Sequence, residues 1–218
     1  ILVIQAFSAL AAGGAIVCAQ YIGQQNQERA NESARQVLFI ITLISIVVSA
    51  ICLGFKKPLL RLIFGSVEAD VMRASEIYFF YTALSFPFIA LYDAAASIFR
   101  AQDNTKGPMT ISMISNIMNI VGNAIMIWGF HMGVAGAAIA TLISRIFCAL
   151  VVLIQLRRDR QPIVVRDYLK IRPDWPMIGR ILGIGIPSGV ENSMFQLGKL
   201  AIQSRYLRLE LLLLQHRQ

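Results

Sequence analysis

Apolar runs of roughly twenty residues alternate with short polar breaks along most of this chain. About 20 apolar residues in a helix cross the bilayer core, which is about 30 Å thick, so each run predicts a transmembrane helix. Six runs have this character, at residues 1–22, 37–55, 77–99, 109–130, 134–156 and 181–203.

Composition supports a membrane protein. Hydrophobic residues make up 56% of the chain and charged residues only 15%, a balance that a soluble domain of 218 residues does not usually have. We therefore predict an all-α, polytopic membrane helical bundle. Cys18, Cys52 and Cys148 stand alone in apolar runs, which predicts reduced packing residues and no disulfide or metal ligand set.

The net charge of +8 follows from the distribution of lysine and arginine between the loops. Loops one, three and five carry most of it, and this asymmetry predicts that they are cytoplasmic, so nucleic-acid binding is not needed to explain the charge. The residues counted in these loops are Arg29, Arg35, Arg100, Lys106, Arg157, Arg158, Arg160, Arg166, Lys170, Arg172 and Arg180. Loops two and four hold only Lys56, Lys57, Arg61 and Arg73.

A polar stripe follows one face of the fourth run. Amide and hydroxyl groups that face lipid go unsatisfied, at a cost of several kcal/mol each, so this face is predicted to meet protein or a wet cavity. Two roles remain open, hydrogen bonding between helices and lining of a substrate cavity. The stripe consists of Ser112, Ser115, Asn116, Asn119 and Asn123.

The third run places Tyr81, Ser85, Phe88 and Tyr92 on a single predicted face, and Pro87 interrupts it. Its aromatic rings are candidates for stacking on a flat or cationic molecule, although packing is the more common role. Asp93 lies beside this face.

The fifth run repeats small residues at every fourth position, which predicts close helix packing and no chemistry. The two ridges are Gly133, Ala137, Thr141 and Gly136, Ala140, Ser144. Arg145 in the middle of this run needs a partner, and Asp93 is a candidate.

The stretch "GIGIPSGVEN" in the sixth run combines a proline with polar groups. Pro187 removes one backbone hydrogen bond and predicts a helix that can kink. Ser188, Glu191 and Asn192 then share a face with Lys199. A carboxylate in such a place is a candidate for binding a proton or a small cation, and the alternative is a structural pair with Lys199.

Three pieces of the chain resemble the multidrug and toxic compound extrusion (MATE) transporters, and their bacterial branch in particular. These are "GGAIVCAQYIGQQNQERANESARQ", "SIFRAQDNTKGPMTISMISNIMNIVGNAIMIWGFHMGVAGAAIATLISR" and "GIPSGVENSMFQLGKLAIQ". The resemblance implies a fragment of a twelve-helix fold with two six-helix lobes around a central cavity, covering about the second to the seventh helix.

On that template, residues 1–156 are most of the N-terminal lobe, with five transmembrane segments, and residues 157–180 are a cytoplasmic loop between the lobes. Residues 181–203 are the first helix of the C-terminal lobe, and residues 204–218 are an atypical tail. The resemblance further implies a multi-pass protein of the bacterial inner membrane, which works together with the missing remainder of its own transporter.

The implied function is export of cationic or amphipathic organic compounds in exchange for H⁺ or Na⁺. Glu191 and Asn192 are the expected ion-coupling residues. The expected partners are membrane lipid and small cationic substrates, with no nucleic acid, no metal and no cofactor beyond the coupling ion. The residues expected to line the substrate cavity are Asn116, Asn119, Asn123, Tyr81, Tyr92 and Ser188.

Two other functions are alternatives to this one. A flippase or exporter of lipid-linked saccharides, from the related superfamily, requires a more basic cavity. Only Arg145 is a candidate for a basic residue inside the cavity. An intramembrane enzyme requires a catalytic constellation, yet the sequence holds neither H-E-x-x-H nor G-x-S-x-G. We therefore predict that the chain is not an enzyme.

Overall fold

A computed structural model of the protein describes residues 2–64, 69–157, 162–165 and 172–215. This part of the chain is helical and contains no strand, which confirms the all-α prediction. Its helices are α1 (Leu2–Gly23), α2 (Gln27–Gly54), α3 (Lys56–Phe64), α4 (Ala69–Leu84), α5 (Phe86–Ala101), α6 (Lys106–Ala124), α7 (Gly133–Leu156) and α8 (Trp175–Gln215), with a π-helical turn, Ile125–Gly129, between α6 and α7.

Within the described residues, four helices are long and apolar enough to cross a membrane alone. They are α1, α2, α6 with its π-helical turn, and α7. Helices α4 and α5 qualify together as a fifth span. The sixth predicted run lies in α8, which does not reach the same apolar level because Glu191, Asn192 and Lys199 interrupt it.

The third predicted run is two helices and not one. Helix α4 ends at Leu84 and α5 begins at Phe86, with a bend of 40° between them. Pro87 occupies the first turn of α5, where a missing backbone N–H removes no helical hydrogen bond. The chain therefore starts a new helix at this proline, and the face predicted from Tyr81 to Tyr92 is broken at Ser85.

Helix α1 is the centre of the bundle and packs against α2, α5 and α8. Its contact with α8 includes a crossing of two glycines. A Cβ atom added at Gly13 would lie 2.6 Å from the backbone nitrogen of Gly185 and 2.7 Å from its Cα. One added at Gly185 would lie 3.0 Å from the Cα of Leu10. The two backbones are therefore in contact. The role of Gly185 is to let α8 approach α1 closely, more than to make α8 flexible.

Apolar side chains around α1 complete the core. Phe7 packs edge-on against Phe86, with ring centroids 6.2 Å apart, and both rings are buried. Val17 of α1 and Ile41 of α2 are fully buried in the same cluster. Helices α6 and α7 form a second layer, since α7 contacts α4 and α5 while α6 packs mainly on α7.

Three side-chain amides bind the chain between α7 and α8 to one end of the bundle. Asn31 and Gln102 accept hydrogen bonds from the backbone N–H groups of Val164 and Ile163, both at 3.0 Å. Gln36, which is fully buried, donates to the carbonyl of Arg172 at 2.6 Å and accepts from the N–H of Asp174 at 3.2 Å.

These bonds bring loops one, three and five together at one end, as expected if all three face the same side of a membrane. Ile163 and Val165 are fully buried in the main core, so these two side chains anchor the connection in the bundle. Four of the basic residues counted in these loops, Arg158, Arg160, Arg166 and Lys170, lie outside the described residues.

The small residues of α7 allow close packing, as predicted. A Cβ added at Gly136 would lie 2.9 Å from the Cβ of Met126. One added at Gly122 of α6 would lie 3.3 Å from the Cβ of Ala140. The three cysteines are free, with Cys18 and Cys148 buried, as expected for packing residues. Of the predicted tail, α8 extends to Gln215 and the last three residues, 216–218, lie outside the described part.

The glycine crossing predicts a sharp difference between two substitutions. Gly13→Ala would force the backbones of α1 and α8 apart, so we expect it to destabilise the protein by about 1–3 kcal/mol. Gly183→Ala in α8 is the matched control, because no atom lies within 4 Å of its added Cβ. Alanine also favours a helix over glycine by up to about 1 kcal/mol, so the control should be neutral or stabilising. Thermal unfolding in detergent measures both, and equal melting temperatures for the two variants would contradict the crossing.

Candidate substrate and ion sites

The polar stripe of α6 divides into two sets of residues with different partners. Ser115 donates a hydrogen bond to the carbonyl of Ser144 at 3.0 Å. Asn119 donates to the hydroxyl of Thr141 at 3.2 Å, and Asn123 donates to the Oδ1 of Asn119 at 3.2 Å. Ser115 and Asn119 therefore tie α6 to α7, which is the helix-bonding role left open by the sequence.

Asn123 also leaves a free acceptor. Its Oδ1 is buried and has no hydrogen-bond partner among the described residues. The neighbouring Thr141 hydroxyl donates to the carbonyl of Ala137, so it offers no proton to this oxygen. A buried amide oxygen without a donor is suited to a small hard cation, since such ions take oxygen ligands.

The other members of the stripe line a pocket between α5 and α6, with a volume of about 370 Å³. Tyr92 anchors its α5 wall, and its hydroxyl donates a hydrogen bond to the carbonyl of Pro108 at 2.9 Å. Asn116 is exposed toward it and Ser112 is half-buried. We call this the α5–α6 pocket, and its lining is Tyr92, Arg100, Thr105, Pro108, Met109, Ser112, Met113 and Asn116.

One charged residue of α5, Arg100, lines this pocket, and a second, Asp93, follows the lining residue Tyr92 in sequence. Arg100 lines its loop end and donates a hydrogen bond to Ser97. Asp93 lies two turns earlier on the same face and interacts electrostatically with Arg100. It is half-buried, and its Oδ2 is buried without a hydrogen-bond partner in the described part of the chain. Asp93 is the functional candidate that the sequence reading missed, because there it served only as a partner for Arg145.

That pairing is wrong. The Arg145 guanidinium donates a hydrogen bond to the hydroxyl of Ser85, at the break between α4 and α5. Asp93 lies eight residues beyond the break, about 12 Å along a helix that rises 1.5 Å per residue, so it lies at a different depth. Arg145 therefore serves the helix break, and Asp93 is left without this cation.

Tyr81 is separated from Tyr92 by the same break. It lies on α4, half-buried, with its ring edge-on to Phe80 at 5.5 Å between centroids, and it is not among the residues that line the α5–α6 pocket. The structure therefore places one of the two predicted cavity tyrosines, Tyr92, at the pocket.

The α8 candidates lie apart from this pocket. Glu191 and Asn192 are exposed and Ser188 is half-buried. Lys199 lies over the ring of Phe195, with its Nζ 4.6 Å from the ring centroid, and forms no ion pair with Glu191. Between the described parts of α6 and α8 there is no contact. In the described part of the chain, the polar stripe and the Glu191 face are therefore two separate candidate sites.

Across the described ranges, no group of three or more His, Cys, Asp or Glu side chains is placed to hold a metal ion.

Comparison with known proteins identifies the family. The MatE family model matches residues 1–125. The chain belongs to the MATE family. Its relatives carry transporter names, which confirms that it is not an enzyme, and the apolar helices fit a multi-pass membrane protein.

The matches to individual relatives cover most of this MATE chain but less than half of each relative's own length. It is 29% identical to the probable multidrug resistance protein YoeA of Bacillus subtilis, over 89% of this chain and 43% of that protein. It is 27% identical to the probable multidrug resistance protein NorM of Thermotoga maritima, over 86% of this chain and 40% of that protein.

Solved structures show the same fold. A transporter of the wider MOP superfamily from Pyrococcus furiosus superposes with a TM-score of 0.82 at 22% identity, covering 93% of this chain and 44% of that one. For that protein, the reverse polarity of its binding pocket suggests a different function.

Substitution by alanine should change the free energy of unfolding differently in the two sets of stripe residues. Asn119→Ala removes the hydrogen bonds to Thr141 and Asn123, and should lower the free energy of unfolding by about 0.5–2 kcal/mol. Asn116→Ala, one turn earlier and exposed to the pocket, should change it by less than about 0.5 kcal/mol. Thermal unfolding of the two purified variants checks this. A larger loss for Asn116→Ala would place the bonding face of α6 elsewhere.

Proposed function

We propose that this chain is part of a bacterial inner-membrane antiporter that exports cationic or amphipathic organic compounds in exchange for H⁺ or Na⁺. It would supply most of the N-terminal lobe and the first helix of the C-terminal lobe. The rest of the transporter would supply the remaining walls of the cavity, since the chain spans less than half the length of the relatives described above.

The observation that carries this proposal is the α5–α6 pocket. The ring of Tyr92 and the thioethers of Met109 and Met113 offer soft, adaptable contacts to a flat organic molecule. Asn116 and Ser112 add polar groups for orientation. Asp93 does not line the pocket, but it is the next residue after Tyr92 on α5, and its carboxylate would favour a cationic substrate.

Ion coupling is proposed at Glu191 and Asn192. Pro187 lies inside α8 and has no N–H, so the carbonyl of Gly183 loses its helical donor at a point where α8 is exposed. Binding of H⁺ or Na⁺ near Glu191 would change the bend of α8 at this proline. Helix α8 crosses α1 at Gly185, two residues before the proline, and this crossing is fixed. The bend would therefore move the part of α8 that follows Pro187 relative to α1. Alternating access then follows from a shift between two states of α8.

A second function has support from one feature. Arg100 lines the α5–α6 pocket, and Arg145 adds a second cation at the helix break. Such groups favour the diphosphate of a lipid-linked saccharide, and a different function has been suggested for the Pyrococcus furiosus transporter that shares this fold. A flippase or exporter of lipid-linked saccharides is therefore the alternative.

The decisive experiment measures efflux of a fluorescent cationic dye from vesicles that contain the whole transporter. Proton and sodium gradients are imposed separately. We expect one gradient to drive efflux, and Glu191→Gln to lose that dependence by roughly tenfold or more, because the amide can neither bind a proton nor balance a cation.

Asp93→Asn is the matched comparison. If Asp93 favours the cationic substrate but does not couple the ion, this variant keeps its gradient dependence and takes up dye with weaker affinity. Gradient dependence that survives Glu191→Gln and disappears in Asp93→Asn would move the coupling site to α5. Absence of gradient-driven efflux in the unaltered transporter would sink the antiporter proposal in favour of the flippase.

A further inference from the structure

A groove between α6 and α7 lies on the other side of the α6–α7 pair from the α5–α6 pocket. It has a volume of about 590 Å³ and lies where α6 begins and α7 ends. Ile111, Val151 and Ile154 form its apolar walls, and Lys106, Thr110 and Gln155 form its polar end. We call it the α6–α7 groove.

The groove faces away from the polar stripe. At about 100° per residue around a helix, residues 106, 107, 110 and 111 point roughly 180° away from the mean direction of residues 112, 116, 119 and 123. The same face continues along α6 as Ile114, Ile117 and Val121, which are 49%, 58% and 50% exposed. A polar stripe turned toward the protein therefore leaves this apolar face and its groove toward the lipid.

The polar end of the groove offers a cation and an unsatisfied acceptor. Lys106 is exposed at the membrane end where the basic loops gather. The amide of Gln155 lies over the first turn of α6, where a Cβ added at Gly107 would be 2.7 Å from its Nε2. Its Oε1 is buried and has no hydrogen-bond partner among the described residues. The groove thus presents positive charge for an anion and one oxygen that requires a donor.

We propose that the α6–α7 groove binds an anionic phospholipid whose headgroup carries hydroxyl donors, as phosphatidylglycerol does. Lys106 pairs with the phosphate, a headgroup hydroxyl donates to the Oε1 of Gln155, and an acyl chain follows the apolar face of α6. A zwitterionic choline headgroup has neither the net charge nor a donor, so it does not fit this polar end.

The test uses the whole transporter in nanodiscs and counts retained lipids by native mass spectrometry, with titration of phosphatidylglycerol into phosphatidylcholine. We expect Lys106→Gln to weaken retention about fivefold, the loss expected for one lysine near an anionic surface. Lys57→Gln is the matched control, because Lys57 is an exposed lysine on α3, away from the groove. Equal retention in Lys106→Gln and the unaltered protein, or an equal loss in Lys57→Gln, would overturn the proposal.

A second comparison tests the acceptor. Phosphatidylmethanol is anionic but has no headgroup hydroxyl, so it should bind more weakly than phosphatidylglycerol. Gln155→Leu should remove this difference while leaving the contribution of Lys106. If the two lipids bind equally to the unaltered protein, the assignment of Gln155 is wrong. Neither result depends on what the transporter exports, because both assays measure lipid and not efflux.

Discussion

The contact between Gly13 and Gly185 is the constraint on which the rest of the structure depends. It allows two helix backbones to touch, so α8 lies directly on α1 although more than 160 residues separate the two glycines in sequence. Dispersion forces hold such a crossing only while no side chain intervenes. The residues that follow on α8, including Glu191, project from the bundle because their helix is fixed at this point and little else in the chain covers them.

At one end of the bundle, polar side chains fix the connection between α7 and α8. Hydrogen bonds join the backbone between α7 and α8 to the side-chain amides of Gln36, Asn31 and Gln102. The start of α8 is therefore fixed as well as its crossing point on α1. Inside the bundle, by contrast, several polar atoms have no partner in the described part, among them those of Asp93 and Asn123. The described part of the chain therefore leaves polar atoms unsatisfied next to its candidate sites, and also at Arg35 and Gln155 nearer the ends of the helices.

Much of this arrangement was predictable from the sequence, because bilayer thickness and the cost of unpaired polar groups act on composition alone. The helices and the small residues of α7 followed from such rules. Other features depend on rotation and depth, which sequence spacing does not determine. Asn116 and Asn119 belong to one predicted stripe, yet a rotation of less than a turn sends one to a pocket and the other to Thr141. Likewise, Arg145 meets Ser85 and not Asp93 because the chain restarts its helix at Pro87.

The bond between Arg145 and Ser85 has a consequence for how the protein is made. The two residues are 60 positions apart, and α4 and α5 leave the ribosome before α7. Until α7 arrives, the break at Ser85 has no guanidinium beside it, and α7 in turn carries an unpaired cation into the membrane. Helix α7 is apolar enough to cross a membrane by itself, so what it gains from the bent pair is a hydrogen-bond partner for this one cation. The packing at the break between α4 and α5 should accordingly be completed only after α7 has been made.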